Sequence, residues 1–341
     1  MRKINRLLCA AAAAVLLGAN TAQAAVIIVP PNPLTAATEN TSASQIISQG
    51  PGAELLQNTQ SQTSQTEQVQ QSLEGTVFAG SSTIAAPVVE AEGAVLLNCN
   101  TGQILYEKNS SVQFYPASIT KLMTALLTAK NCSLSDVVTF SEAATTNLES
   151  GAVTINLTAG DQLTVEQCLY ALLLKSANEV ANGLAEHISG SVSGFADLMN
   201  QRAAALGCTG THFANPNGLN DSTHVTTPYD MALIARAAYA NPVVAQVSSA
   251  LSYEIPATQK AGARQVTMGH KMLYPTDSRY YQGIVGGKTG YTSKAGNTLV
   301  TCVERDGLRL IAVVMKASAT HYTDTKAMLD YGFALAQNGE I

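Results

Sequence analysis

The chain has 341 residues, of which 46% are hydrophobic and 13% are charged. This length and apolar content suffice for one large or two small domains with a buried core, and they exclude a chain that is disordered throughout. The formal net charge of −5 excludes the basic surface that nucleic-acid binding requires, so no nucleic-acid partner is predicted.

Residues 1–24 are typical of a signal peptide. A basic start is followed by an apolar run over residues 7–17 and by an A-x-A cleavage motif over residues 22–24. The apolar run is shorter than the roughly 18 residues that cross a bilayer, which disfavours the alternative of an uncleaved membrane anchor. We therefore expect an exported chain that is secreted or associated with the cell envelope.

Residues 25–86 are rich in Ala, Ser, Thr, Gln, Asn and Pro and contain few aromatic residues. This composition predicts a flexible, low-complexity spacer. An amphipathic helix over residues 57–73 is the alternative, but its apolar positions are too few to bury one face. A folded domain is predicted from residue 87 to residue 341.

Two β-hairpin patterns bracket this domain. Residues 93–109 form two β-like runs around Asn100-Thr101-Gly102, and residues 297–317 repeat the form around Asp306-Gly307. Helical patterns lie between and after them, at residues 117–130, 164–188, 193–206, 228–240 and 322–336. The order predicts an α+β fold in which both ends of the domain supply one antiparallel sheet, with helices packed on it and a helical subdomain between.

Six cysteines are present, and Cys9 lies in the predicted signal peptide. The remaining five are too sparse, and odd in number, for a disulfide framework, and no two have metal-binding spacing. Cys168 and Cys302 lie inside apolar elements, where a free cysteine behaves as a small hydrophobic residue. The prediction is of buried structural thiols.

The stretch PASITKLMTALL, residues 116–127, places Ser118 three residues before Lys121 at the start of a helical pattern. Residues at this spacing share one helix face, so the two side chains can meet. Lysine can activate serine only as a neutral amine, and burial together with the positive end of a helix favours that form. Because S-x-x-K is short, a chance surface pair remains the alternative at this point.

Two further short motifs could carry chemistry. Ser176-Ala177-Asn178 interrupts an apolar run, although Ser176 could also be a helix N-cap that forms a capping box with Glu179. Lys288-Thr289-Gly290 lies in a glycine-dense run before a β-like segment, where glycine permits close approach of a ligand or another backbone. Gln282 occupies the position of the first glycine of a phosphate-binding loop, so that motif does not match.

The set S-x-x-K, S-x-N and K-T-G, in this order, resembles the low-molecular-mass penicillin-binding proteins of the serine D-alanyl-D-alanine carboxypeptidase family. Residues 212–219, 227–238 and 286–300 are also similar to that family, and the likeness extends over about residues 91–333. The resemblance implies a β-lactamase/transpeptidase-like fold and a catalytic domain over residues 87–341. It implies a peptidoglycan stem peptide ending in D-Ala-D-Ala as substrate and β-lactams as covalent inhibitors, with no cofactor and no metal.

The resemblance also implies roles for the catalytic residues. Ser118 is expected to attack the carbonyl of the penultimate D-Ala, with Lys121 as its base. Ser176 is expected to relay a proton to the leaving amine, and Lys288 to keep the cleft positive.

The remaining expected roles concern substrate binding. Asn178 is expected to bind the substrate amide, Thr289 its terminal carboxylate, and Gly290 to leave room for the peptide. The backbone N–H groups of Ser118 and Tyr291 are expected to form the oxyanion hole.

Some features depart from the family pattern. Relatives often carry an arginine after the last core strand, whereas residues 316–326 contain none. No C-terminal membrane anchor is apparent. The alternatives are a β-lactamase, a transpeptidase and a non-catalytic cell-wall-binding module. The β-lactamase is made less favourable by the lack of glutamate from His187 to Tyr253. A histidine-dependent serine hydrolase lacks its G-x-S-x-G motif, so the histidines are interpreted as structural or surface residues.

Overall fold

A computed structural model describes residues 76–77, 82–146 and 148–341. The predicted signal peptide lies outside these residues, as does most of the predicted spacer. The strands are β1 Thr76–Val77, β2 Gly93–Asn98, β3 Ile104–Lys108, β4 Val137–Thr139, β5 Gln162–Thr164, β6 Ser252–Ile255, β7 Arg264–Thr267, β8 Ile284–Thr292, β9 Gly296–Arg305 and β10 Leu308–Ala317. The α-helices are α1 Lys121–Asn131, α2 Glu142–Thr146, α3 Val165–Tyr170, α4 Asn178–Ser189, α5 Val192–Ala205, α6 Pro228–Tyr239, α7 Pro242–Ser249 and α8 His321–Gln337.

The main sheet is antiparallel and has the order β1-β3-β2-β10-β9-β8. Both predicted hairpins are present, as β2–β3 and β9–β10. The hairpins join where β2 pairs with β10, with Leu310 opposite Asn98. The predicted α+β fold, with an antiparallel sheet made from both ends of the domain, is confirmed. The pairing of β1 with β3 also brings residues 76–77, which lie inside the predicted spacer, into the sheet.

The two faces of the sheet pack against different helices. Val95 and Leu97 of β2 join a large cluster with the helices between the hairpins. Ala94 and Leu96, which point to the opposite face, join a second cluster with α8. The sheet is thus a buried middle layer between the helical subdomain and α8.

The helical patterns are confirmed in position but two are interrupted. The first begins as a 3₁₀ turn over Ala117–Thr120 before α1. The second is broken between α3 and α4 by a π-helical turn over Ala171–Lys175. Helix α7 and the small strand pairs β4–β5 and β6–β7 were not predicted, because they are short and their sequences show little periodicity.

The five cysteines among the described residues are all free. Cys99, Cys168 and Cys302 are buried, as predicted for structural thiols. Cys132 and Cys208 are only half-buried, so the prediction was wrong for these two, which lie at helix ends rather than inside apolar elements. Within the described ranges, no helix combines the length and apolar character needed to cross a membrane.

Candidate active site

Ser118 and Lys121 meet where the 3₁₀ turn passes into α1. The Lys121 amine lies 3.0 Å from Ser118 Oγ, which is the contact that their spacing predicts. The amine also donates to Asn178 Oδ1 at 2.8 Å and to the backbone carbonyl of Asn217 at 2.5 Å. Three oxygen atoms therefore surround this single amine.

Lys121 is completely buried. Burial lowers the pKa of its amine well below the usual value, the nearby Lys288 lowers it further, and Glu179 opposes the shift. Among the three oxygens around the amine, the two carbonyl oxygens can only accept a hydrogen bond, whereas Ser118 Oγ can also donate one. A neutral amine fits this arrangement because its two N–H groups can serve the carbonyls while its lone pair faces the serine hydroxyl.

The backbone before Ser118 is held in an unusual conformation. Ala117 has a φ of 50°, which is sparsely populated for residues with a side chain. The carbonyl of Ala117 lies against Gly218, where an added Cβ would come within 1.9 Å of it. Thr120 Oγ1 donates to this carbonyl at 2.8 Å, and Thr298 Oγ1 donates to the carbonyl of Pro116 at 2.9 Å. These contacts fix the turn that presents the serine.

His224 supports the same turn from within the core. Its Nε2 lies 2.8 Å from Thr120 Oγ1, and its Nδ1 accepts from the backbone N–H of Ala214 at 3.0 Å. Because Thr120 donates its own proton to Ala117, His224 donates from Nε2 and is the neutral tautomer. Burial lowers the pKa of His224 to about 3, so the ring stays neutral. This agrees with the structural interpretation of the histidines.

Ser176 follows the π-helical turn with a φ of 69°. The N-cap of α4 is Ala177, without a side-chain hydrogen bond, so the capping-box alternative is wrong. The Glu179 carboxylate instead accepts from the backbone N–H of Ile155 at 2.6 Å. Ser176 Oγ accepts from the Lys288 amine at 3.0 Å, which joins the second motif to the third.

Asn178, the first residue of α4, is buried and uses both ends of its side chain. Its Oδ1 accepts from Lys121, and its Nδ2 donates to the carbonyl of Val153 at 3.0 Å. One N–H of the amide remains for a ligand. Asn178 therefore positions Lys121, and its expected contact with the substrate amide stays a prediction.

The third motif lies on β8, the edge strand of the sheet. Lys288 is buried, and its amine also donates to the carbonyl of Thr289 at 2.8 Å. Burial lowers the pKa of Lys288 to about 7. The half-buried Thr289 hydroxyl has no hydrogen-bond partner among the described residues and is free to bind a ligand.

Gly290 and Tyr291 complete the edge of the cleft. A Cβ at Gly290 would lie 2.8 Å from the backbone nitrogen of Ser118 and 2.4 Å from Thr298 Oγ1. Glycine is therefore required by the close packing of the serine turn on β8. The expectation that Gly290 also leaves room for a peptide stays a prediction. Tyr291 follows on the exposed side of the strand, with 66% of its surface accessible.

The cleft in front of Ser118 has a volume of about 290 Å³. It is lined by Ser118, Asn178, Tyr291, Thr292, Ser293 and the segments 149–153 and 218–220. The cleft lies between the sheet edge and the helical subdomain. Among the described residues, the one cluster of potential metal ligands, formed by Cys132, Asp136 and His187, lies outside this cleft.

The sequence did not identify two contributors to the site. Asn217 acts through its backbone carbonyl, which no side-chain motif reveals, although it lies in the segment 212–219 that resembles the family. Glu149 lines the cleft from a loop, and its carboxylate accepts from the backbone N–H of Asn220 at 2.7 Å and from Asn220 Nδ2 at 3.0 Å. Glu149 precedes the second motif, whereas the glutamate of class A β-lactamases lies on a loop after it.

A family model described as D-alanyl-D-alanine carboxypeptidase matches residues 81–319. The chain is 34% identical over 258 residues to D-alanyl-D-alanine carboxypeptidase DacF of Bacillus subtilis, covering 72% of this chain and 62% of that protein. It is 32% identical over 265 residues to DacB2 of Mycobacterium tuberculosis, covering 76% of this chain and 87% of that protein. The chain therefore spans less than two thirds of the Bacillus relative.

Solved structures of the same family share the fold of this chain. A D-alanyl-D-alanine carboxypeptidase from Mycobacterium tuberculosis matches with a TM-score of 0.67 and 33% identity, covering 76% of this chain and 96% of that one. The Streptomyces K15 DD-transpeptidase matches with a TM-score of 0.68 and 29% identity, covering 74% of this chain and 100% of that one. The β-lactamase/transpeptidase-like fold that the sequence predicted is thus confirmed.

Proposed function

The chain belongs to the D-alanyl-D-alanine carboxypeptidase family, and we propose that it is an exported serine carboxypeptidase acting on peptidoglycan stem peptides that end in D-Ala-D-Ala. The reaction removes the terminal D-alanine through an acyl-serine intermediate. The observation that carries the proposal is the buried amine of Lys121, held against Ser118 Oγ by two carbonyl oxygens.

Lys121 is the base that activates Ser118. The low pKa of its buried amine supplies the neutral form, and the 3.0 Å contact places its lone pair within reach of the serine proton. Ser118 Oγ bonds to the carbonyl carbon of the penultimate D-Ala as its proton moves to Lys121. The carbonyl electron pair moves to oxygen, where the backbone N–H groups of Ser118 and Tyr291 stabilise the charge.

Collapse of this intermediate breaks the peptide bond and releases D-alanine. The proton that Lys121 took from Ser118 passes through the Ser176 hydroxyl to the leaving amine, and Lys288 orients that hydroxyl through its 3.0 Å hydrogen bond. Water then hydrolyses the acyl-enzyme and regenerates Ser118. Every proton transfer is made by groups of this chain or by water.

The substrate is held on both sides of the scissile bond. The free N–H of Asn178 binds a backbone carbonyl of the stem peptide. Thr289, whose hydroxyl has no partner among the described residues, donates to the terminal carboxylate, and Lys288 in its charged form adds positive potential there.

β-Lactams acylate Ser118 because they present a carbonyl and a carboxylate with a similar spacing. In class A β-lactamases a glutamate activates the water that removes the acyl group. Glu149 reaches the cleft from its loop, but both of its oxygens are occupied by Asn220. We therefore propose slow deacylation, and thus penicillin sensitivity rather than resistance.

The test is to incubate the purified protein with penicillin, map the adduct by mass spectrometry and assay D-alanine release from a peptide ending in D-Ala-D-Ala. One adduct on Ser118 and release of D-alanine are expected. An adduct on another residue, or none, would refute the acyl-serine mechanism. Adding an amine acceptor separates hydrolysis from transpeptidation, since the latter yields an exchanged peptide.

A further inference from the structure

A second hollow, of about 510 Å³, lies at the far ends of α1 and α4. Cys132 follows the last residue of α1, His187 lies in the last turn of α4, and Asp136 precedes β4. The thiol sulphur, one carboxylate oxygen and one imidazole nitrogen lie within 4.8 Å of one another. Three different parts of the chain thus bring three ligand-type atoms to one point.

These atoms are available for binding. Asp136 Oδ2 accepts from the backbone N–H of Ser133 at 2.8 Å, which fixes the carboxylate and leaves Oδ1 open. Neither Cys132 Sγ nor the ring of His187 has a hydrogen-bond partner among the residues that the structure describes. His187 is exposed, so its ring can turn toward the other two groups without disturbing the core.

The three ligand-type atoms favour one class of metal ion. A thiolate, an imidazole and a carboxylate are the ligands of Zn²⁺ and similar transition metals, whereas Ca²⁺ and Mg²⁺ take oxygen ligands. Zinc holds such atoms at about 2.0 to 2.3 Å in tetrahedral geometry, so two ligands of one ion lie about 3.3 to 3.8 Å apart. The three atoms, which lie within 4.8 Å of one another, would therefore have to move closer by about 1 Å, which rotation of the exposed His187 side chain can supply in part.

We propose that Cys132, Asp136 and His187 form a binding site for one divalent transition metal ion of the zinc type, with water as the fourth ligand. A metal ion binds cysteine as the thiolate. Binding therefore releases the thiol proton to solvent as the metal–sulphur bond forms.

The site joins the two helices that carry the catalytic groups. Helix α1 begins at Lys121 and α4 begins at Asn178, and these residues are hydrogen-bonded to each other. The helices therefore start together at the active site, and the metal ligands lie at their other ends, about 14 to 17 Å away at 1.5 Å per residue. A metal ion there would fix the helices at both ends, and so would stabilise the frame of the active site without taking part in the reaction.

The test uses the full, tag-free chain with Zn²⁺ and Co²⁺ as probes. We expect calorimetry to give one Zn²⁺ per chain with release of about one proton, and Co²⁺ to produce the near-ultraviolet absorption of thiolate coordination. Zn²⁺ at a hundredfold excess over its Kd should raise the Tm by about 5 °C. Cys132→Ser should abolish the cobalt–thiolate absorption, and Asp136→Asn and His187→Ala should each weaken Zn²⁺ binding at least tenfold.

Cys208→Ser is the matched control, because Cys208 is the other half-buried free cysteine of the described residues. It should bind Zn²⁺ as the wild type does. Absence of stoichiometric Zn²⁺ binding would overturn the proposal. Equal binding by the wild type and the Cys132→Ser variant would also overturn it. Penicillin acylation of Ser118 is measured separately in metal-free protein, so this proposal and the proposed function fail or stand independently.

Discussion

Replacing Thr289 with valine tests the proposed carboxylate contact with little disturbance of the fold. The Thr289 hydroxyl makes no hydrogen bond to the described residues, so its removal should change the free energy of unfolding by less than about 0.5 kcal/mol. Valine has a similar shape and suits a strand. A hydrogen bond to a charged group contributes about 1.5 to 3 kcal/mol. We therefore expect kcat/KM for D-alanine release to fall roughly ten- to a hundredfold.

The assay compares a D-Ala-D-Ala peptide with the same peptide amidated at its C-terminus. Thr289→Ser, which keeps the hydroxyl, is the matched control and should retain most activity. The amidated peptide should be a poor substrate for both the wild type and Thr289→Val, with little difference between them, because the group that Thr289 binds is gone. A Thr289→Val enzyme with unchanged kcat/KM on the free acid, or an equal loss on both peptides, would refute the reasoning.

Three further predictions concern the buried titratable groups. Lys121→Met, which fills a similar volume, should fold but lose penicillin acylation of Ser118 by mass spectrometry; normal acylation would show that Lys121 is not the base. Because the folded-state pKa of Lys288 is about 7, below that of the unfolded chain, the unfolded state binds more protons above pH 7. The free energy of unfolding should therefore rise from pH 7 to pH 9 by about 1.4 kcal/mol per pH unit more than in Lys288→Met. Urea unfolding of both proteins at each pH measures this, and the same pH dependence in both would contradict it. Burial also lowers the pKa of His224 and of His270 to about 3. The free energy of unfolding should therefore fall as the pH drops from 6.5 toward 3, and it should fall less steeply in His270→Gln. An equal slope in that variant would exclude His270 as a contributor.

Much of the architecture could be predicted from sequence because its signals are local. Asp306 and Gly307 both adopt positive φ, and an Asp-Gly pair between apolar runs indicates that hairpin turn directly. The Ser118–Lys121 contact likewise follows from helical spacing alone. Where one or two neighbouring residues determine the conformation, the prediction from sequence was confirmed.

Other features of the site depend on tertiary contacts. The positive φ of Ala117 is stabilised by Gly218, a hundred positions away in sequence, and alanine itself gives no sign of it. Ser176 looked like a helix cap because its neighbours match a capping box, yet its hydroxyl meets Lys288 from the sheet. The local sequence was compatible with both arrangements, and only packing between the subdomain and the sheet decides between them.

The pairing of β2 with β10 has a consequence for how the chain acquires its fold. Arg309 and Asn100, at one end of this pairing, are hydrogen-bonded although they are 209 positions apart. Such contacts carry a large loop-closure entropy and give a high contact order, which slows folding. The fully buried strand β2 has no partner on that side until the last hairpin has been synthesised. Folding of the sheet is therefore delayed until nearly the whole chain is available, a delay that would serve the proposed export of the chain.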